Sequence, residues 1–325
     1  MIDVLTIANS HWRVGLTPET GGSVAFGQAR VGDAWVDVLR PTPDDMLGSF
    51  WDSASYPLVP WSNRIRHGSL LWGGDVYQLR RWAGTADFAM HGTGVEYPWE
   101  VAEAAADRVV VEFDARGYYG VNWPWDFVAR QEYYLDGARL ACRISLTNVD
   151  DVEFPAGLGH HPYFVRQLLG PDGGALGGVV QLQIEATHEY ELENCMPDKA
   201  AGPIAPVSDF TTKRGLGETL VDTCQRGRAG ATVATIEYPG ALSVVIEADP
   251  IFEHTVFYIP PGKPFFAVEA VTNANDGFTL FAKGVKDTGV FSIPAGQTVT
   301  AEFSLRLAWP ASSFRLPCRG RGTRR

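Results

Sequence analysis

The feature that most constrains this chain is a two-residue alternation of apolar and polar side chains, which recurs in short segments along its length. Alternation with this period places one set of side chains on each face of a β-strand. Glycine (35 residues) and proline (21 residues) recur between the segments and mark turns. No strongly periodic helix longer than two or three turns interrupts the pattern. The clearest alternating segments are residues 12–16, 106–116, 138–149, 231–238, 241–249 and 298–309.

The number of these segments predicts the architecture. Residues 1–311 contain no polar low-complexity linker, so we expect one all-β domain, a large antiparallel β-sandwich of two twisted sheets packed face to face. A closed barrel is the alternative. Residues 312–325 contain five arginines, two glycines and no acidic residue, which predicts a basic, disordered tail. A solvated end explains this tail better than nucleic-acid binding does.

The composition limits the classes of partner. The chain has 27 Lys and Arg against 38 Asp and Glu, a net charge of -11, so we expect neither nucleic acid nor an anionic membrane as its partner. The first residues do not show the basic region followed by an apolar stretch that is typical of a signal peptide. No run of about 18 apolar residues, the length of a membrane-spanning helix, occurs. The four cysteines are Cys142, Cys195, Cys224 and Cys318, and no two of them form a CxxC pair. This spacing predicts reduced thiols in a cytoplasmic protein rather than a zinc site or disulfide bonds.

Two loops carry the first candidate residues. Residues 56–79 place Arg64, Arg66 and His67 in a loop that leads into a Gly-Gly hairpin. An arginine in a rigid loop can clamp hydroxyl or carboxylate groups, although a surface salt bridge is the more common role. His91 directly precedes a Gly-x-Gly turn, where the missing side chains would let a ligand approach the backbone. A structural histidine explains this second loop equally well.

Two further segments supply adjacent histidines and a glutamate in apolar surroundings. His160 and His161 precede Pro162, and adjacent side chains of an extended backbone point to opposite faces, so only one of them can face a given cleft. The i, i+1 spacing is poor for one metal ion. Glu269 lies in the stretch FFAVEAV, where its carboxylate is either inward-facing with a partner or on the solvent side of a strand. Burial would raise its pKa, as a general base at neutral pH requires.

Taken together and in this order, these segments resemble the aldose 1-epimerase (galactose mutarotase) family, which includes hexose-phosphate mutarotases. The resemblance covers nearly the whole chain, and residues 63–65 (NRI) and 161–164 (HPYF) are its specific motifs. His91-Gly92 and Glu269 match further family positions, and Asp222 matches an acidic sugar-binding residue more loosely. Ala270 departs from the proline that relatives commonly have. The resemblance implies a galactose mutarotase-like supersandwich with an open sugar cleft on a concave sheet.

The resemblance also implies roles for these residues. Opening a pyranose hemiacetal requires a base for the C1 hydroxyl and an acid for the ring oxygen. We expect Glu269 to be the base and His161 the acid, with His91 assisting on the ring-oxygen side. Asn63, Arg64 and Asp222 would bind sugar hydroxyls. The reaction needs no cofactor and no metal.

Three points stay open at the level of sequence. The substrate is either a neutral aldohexose such as galactose or glucose, or an anionic sugar such as a hexose 6-phosphate. Five basic residues could supply contacts to such an anion, although surface charges explain them equally well: Arg64, Arg66, Arg80, Arg81 and Lys263. A non-catalytic carbohydrate-binding sandwich is the alternative from another class. We expect a monomer or homodimer with a small-molecule sugar as its partner.

Overall fold

The computed structural model describes residues 2–82 and 87–310, and these residues form an antiparallel β-sandwich. All pairings between its strands are antiparallel within these ranges. The strand prediction is confirmed: the six alternating segments correspond to strands Trp12–Thr17, Arg108–Asp114, Arg139–Asn148, Thr232–Tyr238, Leu242–Ala248 and Thr298–Ala308.

A nine-stranded sheet forms one layer of the sandwich. Its two outer strands are not paired with each other, so the sheet does not close into the alternative barrel. In spatial order its strands are Glu100–Ala104, Arg108–Asp114, Phe127–Asp136, Arg139–Asn148, Thr298–Ala308, Leu242–Ala248, Thr232–Tyr238, Gln181–Ile184 and Arg214–Gly215.

A seven-stranded sheet forms the opposing layer and carries the candidate site. Six of its strands lie in the spatial order His188–Glu189, Val221–Arg226, His254–Ile259, Phe265–Val271, Gly159–His160 and Pro57–Leu58. The seventh strand, Tyr163–Val165, also pairs with Phe265–Val271.

The remaining elements are short. A four-stranded sheet at the N-terminal end consists of Leu5–Ala8, Trp12–Thr17, Ser23–Val31 and Ala34–Asp37. The two-stranded pairs are Phe154–Ala156 with Phe291–Ile293, Leu168–Leu169 with Ala175–Leu176, Arg64–Arg66 with Phe88–Met90, and Ser69–Trp72 with Asp75–Gln78. The helical elements are the α-helix Gly277–Ala282 and the 3-10 turns Asp44–Met46, Phe50–Asp52, Gly94–Glu96 and Ala115–Gly117.

The two layers share one apolar core, and the seven-stranded sheet has a second apolar face. On strand Phe265–Val271, Phe266, Val268 and Ala270 belong to the main core beneath the nine-stranded sheet. Ala267 and Val271, which alternate with them, belong to a smaller cluster on the other face. Because both faces are covered, the burial of this strand does not alternate, and Glu269 is its one polar residue.

The outer face of the nine-stranded sheet explains the alternation seen in the sequence. Its polar positions form a ladder of ion pairs across strands, in which Glu132 contacts Arg108 and Arg143, and Glu302 contacts Arg139 and Arg143. Opposite charges on facing strands stabilise such a sheet and keep its outer face solvated. One apolar face and one charged face give each strand its two-residue period.

Two sequence predictions concern residues that the structure does not describe. The tail at 312–325 lies outside the described residues, so its disorder and the domain boundary at 311 stay predictions. Among the described cysteines, Cys142, Cys195 and Cys224 are unpaired. None of the helices within residues 2–82 and 87–310 has the length and apolar character that crossing a membrane requires.

Candidate active site

Glu269 lies on the second apolar face of the seven-stranded sheet. In the register it sits beside Val256, which in turn sits beside Cys224, so these three side chains form one row. The carboxylate is 2% exposed, and it is therefore inward-facing rather than on a solvated side. Burial, with a contribution from Asp222, raises the pKa of Glu269 well above its ordinary value, while the positive charge of Arg64 acts in the opposite direction.

His161 is the partner of this carboxylate. Its Nε2 lies 3.1 Å from Oε1 of Glu269. The imidazole stacks on the Tyr56 ring at 4.8 Å between centroids and packs against Tyr163 at 4.5 Å. Burial is the main reason that the pKa of His161 falls to about 3, and the charge of Arg40 adds to this effect. The site therefore holds a buried acid and a buried base within hydrogen-bonding distance.

His160 points the other way, into the core between the sheets. Tyr133 of the nine-stranded sheet donates its hydroxyl hydrogen to the Gly22 carbonyl at 3.0 Å, so its oxygen accepts from Nε2–H of His160 at 2.9 Å. Nδ1 of His160 then accepts from the Ser55 hydroxyl. Both ring nitrogens are satisfied by this chain, and His160 bridges the two layers as a neutral imidazole. Of the two adjacent histidines, His161 is the one that faces Glu269.

Tyr56, His161, Tyr163 and Glu269 form a buried cage of side chains, and His91 completes this cage from a neighbouring loop. It follows strand Phe88–Met90 with a positive φ of 63°, and its N–H donates to the Asn63 carbonyl at 2.8 Å. Its ring lies 5.3 Å from the His161 ring and perpendicular to it. Burial, together with the charges of His161 and Arg64, lowers the pKa of His91 well below its ordinary value.

The glycines after His91 serve packing rather than ligand approach, so the sequence interpretation of this turn is wrong in that respect. A Cβ at Gly92, whose φ is 77°, would lie 2.1 Å from the Val59 carbonyl oxygen. A Cβ at Gly94 would lie 2.7 Å from the Val59 side chain. The missing side chains let the backbone around Val59 pass close to the turn, which fixes the direction of His91.

The predicted hydroxyl-binding residues lie around the same pair, His161 and Glu269. Asn63 has a left-handed backbone with φ 63° and donates from its amide nitrogen to the Asn275 side chain. Nη2 of Arg64 lies 3.5 Å from Oδ2 of Asp222. Asp222 occupies strand Val221–Arg226 in register with Tyr258, on the face that carries Glu269. The structure thus brings together all six residues predicted from the sequence.

Several buried polar atoms around this cage lack hydrogen-bond partners among the described residues. Native proteins satisfy most buried polar groups, so a concentration of unpaired atoms in one place needs a reason. These atoms include both donors and acceptors, and they surround the His161–Glu269 pair. They are Tyr56 Oη, Asn63 Oδ1, Arg64 Nε, His91 Nδ1 and His161 Nδ1. A ligand with many hydroxyl groups could pair with them.

Sequence reasoning missed other residues of the site. The Arg40 guanidinium lies 3.9 Å over the Tyr163 ring and 4.6 Å over the Phe265 ring. Tyr163 occurs in the HPYF motif, so the motif carried a signal that was not used. Phe164 of the same motif is in register with Phe266 and packs in the main core, away from the His161–Glu269 pair.

Two tryptophans from neighbouring loops also belong to the core. Trp61 and Trp123 stack on each other at 5.1 Å and are members of the main apolar cluster. No group of three or more His, Cys, Asp or Glu side chains suited to a metal ion occurs in the described parts of the chain.

Comparison with known proteins places this geometry in a family. The model of the aldose 1-epimerase family matches residues 3–303. The uncharacterized protein YphB of Escherichia coli K12 is 23% identical over 281 residues, which cover 82% of this chain and 88% of that protein.

Solved structures agree in fold. A galactose mutarotase-like protein from Clostridium acetobutylicum superposes with a TM-score of 0.80 at 17% identity, covering 95% of this chain and 96% of that one. The GalM/aldose epimerase homologue from C. elegans gives a TM-score of 0.75 at 17% identity, with coverages of 95% and 99%. The fold and the match across nearly the whole sequence establish that the chain belongs to the aldose 1-epimerase family.

Proposed function

We propose that this protein is an aldose 1-epimerase that interconverts the α and β anomers of an aldohexose by opening and reclosing the sugar ring. The observation that carries the proposal is the buried His161–Glu269 pair, with Nε2 and Oε1 3.1 Å apart. The ring oxygen and the C1 hydroxyl oxygen share one carbon, so an acid and a base that serve them must lie close together. A site for this reaction needs such spacing.

Proton balance assigns the roles. In ring opening, Glu269 takes the proton of the C1 hydroxyl while the His161 imidazolium gives a proton to the ring oxygen, and the C1–O bond to the ring breaks. The products are an aldehyde, a C5 hydroxyl, a protonated Glu269 and a neutral His161. Rotation about C1–C2 exposes the other carbonyl face, and closure reverses both transfers. The pair therefore carries one transferable proton throughout, and no external acid or base is consumed.

The electrostatics of the cage favour ring closure. Burial raises the pKa of Glu269 and lowers that of His161 to about 3, so both effects favour the neutral pair, with the proton on the carboxyl group. This is the form that closes the ring, because neutral His161 accepts the C5 hydroxyl proton and Glu269 protonates the aldehyde oxygen. A reactive aldehyde in the cage would thus close quickly rather than escape.

The remaining residues would hold the sugar. His91, whose ring lies 5.3 Å from that of His161, would assist on the ring-oxygen side. Asn63, Arg64 and Asp222 would bind hydroxyl groups through their free donors and acceptors. Hydrogen bonds from sugar hydroxyls to the charged groups of Arg64 and Asp222 would orient the sugar as well as add affinity.

A neutral hexose fits the basic residues better than a phosphorylated one. Arg66 donates to Asp276 at 2.8 Å, Arg80 to Glu96 at 2.7 Å, and Arg81 to Asp87 at 2.6 Å. Each guanidinium already has an acidic partner, which leaves less positive charge for a phosphate group. A purely binding sandwich would have no use for an acid and base pair, which favours an enzyme. The cytoplasmic location, the lack of cofactor and the monomeric or homodimeric state stay predictions.

Polarimetry tests the proposal. Freshly dissolved α-glucose or α-galactose is followed with wild type, Glu269→Gln and His161→Asn, after subtraction of the spontaneous and buffer-catalysed rates. We expect each substitution to lower the rate by roughly 10²- to 10⁴-fold, the contribution typical of a proton-transfer group. Glu218→Gln, which alters an exposed carboxylate, is the matched control and should act like wild type.

The outcomes are distinct. Near-normal rates in a folded Glu269→Gln protein would rule out the assigned mechanism. Sugar binding by wild type without any acceleration at any pH would support the binding module instead. Faster turnover of glucose 6-phosphate than of either neutral sugar would overturn the choice of substrate.

A further inference from the structure

Tyr56 is built into the candidate site but has no role in the proposed proton transfers. Its side chain is fully buried, and its ring lies 4.8 Å from that of His161 and 6.1 Å from that of His91. Its carbonyl accepts the backbone N–H of His161 at 2.9 Å. Backbone and ring together hold Tyr56 against both histidines, so its hydroxyl has a fixed place beside them.

The Tyr163 hydroxyl is the nearest polar neighbour of the Tyr56 hydroxyl, but the Tyr56 hydroxyl makes no hydrogen bond of good geometry among the described residues. Other fully buried tyrosines of this protein do have one: Tyr133 donates to the Gly22 carbonyl at 3.0 Å, and Tyr238 donates to the Val165 carbonyl at 2.7 Å. An unpaired buried hydroxyl is destabilising. The fold has paired Tyr133 and Tyr238 and has left without a well-aligned partner a tyrosine that faces the acid and base.

Tyr56 is chemically suited to donate a hydrogen bond. Burial, with the nearby Tyr163 and Glu269 groups, raises the pKa of the Tyr56 phenol well above its ordinary value. The phenol therefore keeps its proton across the physiological range. No well-aligned acceptor of the described residues uses this donor. The ring oxygen of a sugar held by His161 and His91 would be an acceptor for it.

We propose that Tyr56 is a third substrate-contacting residue of the site, whose hydroxyl donates a hydrogen bond to the ring oxygen of the bound sugar. This inference rests on the proposed mutarotase function and adds a residue to it. Tyr56 transfers no proton, since His161 remains the donor. The ring oxygen gains negative charge as its bond to C1 breaks, so the hydrogen bond strengthens in the transition state and mainly raises kcat.

Tyr56→Phe is the direct test because it removes only the hydroxyl. Polarimetry should show a kcat lower by roughly 10²-fold with little change in KM, as for loss of one preorganised donor. The melting temperature should stay the same or rise, since the hydroxyl has no partner to lose. Tyr238→Phe, which breaks a formed hydrogen bond in the main core, is the matched control. It should lower the melting temperature and leave kcat and KM unchanged.

The results separate this inference from the function on which it rests. A wild type that does not accelerate mutarotation defeats the function itself. An active wild type with an equally active Tyr56→Phe variant defeats only the role of Tyr56. A melting temperature that falls in Tyr56→Phe as far as in Tyr238→Phe would also overturn the inference, because it would show that the hydroxyl is bonded in the free protein.

Discussion

Four histidines are buried in the folded protein, and their titration predicts that its stability falls in mild acid. Burial is the largest cause in each case: the pKa of His160 and of His161 falls to about 3, that of His254 falls to about 4, and that of His91 lies well below its ordinary value. In the unfolded chain a histidine titrates near 6.5. Below about pH 6.5 these histidines therefore bind protons in the unfolded chain, whereas in the folded protein they bind protons only near pH 3 to 4.

The linkage between proton binding and folding gives the sign and the size of this change in the free energy of unfolding. A depressed pKa in the folded state contributes stability that is present above the unfolded pKa and is lost as the pH falls toward the folded value. Between pH 7 and pH 5 each buried histidine costs about 2 kcal/mol, so His160, His161 and His254 together cost about 6 kcal/mol. Glu269 acts in the opposite direction, because its raised pKa lets the folded state bind a proton, and it offsets at most about 2.6 kcal/mol.

Urea unfolding followed by tryptophan fluorescence at pH 7 and pH 5 measures this loss directly. His160→Gln keeps a donor and an acceptor for Tyr133 and Ser55 but does not titrate, so its loss between the two pH values should be smaller than that of wild type by about 2 kcal/mol.

Two further variants control the experiment. His254→Gln should behave in the same way as His160→Gln. His188→Gln, which replaces an exposed histidine, should lose as much stability as wild type. Equal losses in wild type, His160→Gln and His254→Gln would refute the reasoning, whatever the absolute stabilities are.

Three other outcomes are expected. Glu269→Gln should be more stable than wild type above about pH 4.5, and urea titrations should show the gap widening by about 1.4 kcal/mol per pH unit until the carboxyl group of wild type ionises. Arg40→Met removes a positive charge that lowers the pKa of His161, so the acid limb of the pH–rate profile should move to higher pH, whereas Arg40→Lys should leave it in place. Gly289→Ala puts a Cβ 1.7 Å from the Thr272 carbonyl oxygen, whereas Gly296→Ala has the same φ of 72° and open space, so denaturation should show the first to be less stable by at least about 1–3 kcal/mol.

The sequence predicted the fold well because most strands have one apolar and one solvated face. Arg139–Asn148 and Thr298–Ala308 are examples, since their outer positions carry the charges that pair across the nine-stranded sheet. Strand Phe265–Val271 is different because both of its faces are covered. Its sequence could not tell whether Glu269 points inward or outward, because that depends on what covers the second face.

The candidate site was accessible from the sequence only through the family motifs. Asn63, His91 and Asp222 lie far apart in the chain, and strand register together with left-handed turns brings them to one cluster of side chains around His161 and Glu269. Tyr56 could not be found in this way. Its distinguishing property is a hydroxyl without a partner, and the lack of a partner is a property of the three-dimensional surroundings.

The adjacent histidines show how the fold separates structural from chemical groups of the same type. His160 and His161 are similarly buried and both titrate near pH 3. His160 has partners on both nitrogens, so protonation would break a formed hydrogen bond and nothing would be gained. His161 has Glu269 on one nitrogen and no partner on the other. Burial alone therefore does not mark a functional histidine. Burial together with a ring nitrogen that lacks a hydrogen-bond partner does, because only then can an incoming ligand lower the energy of the site.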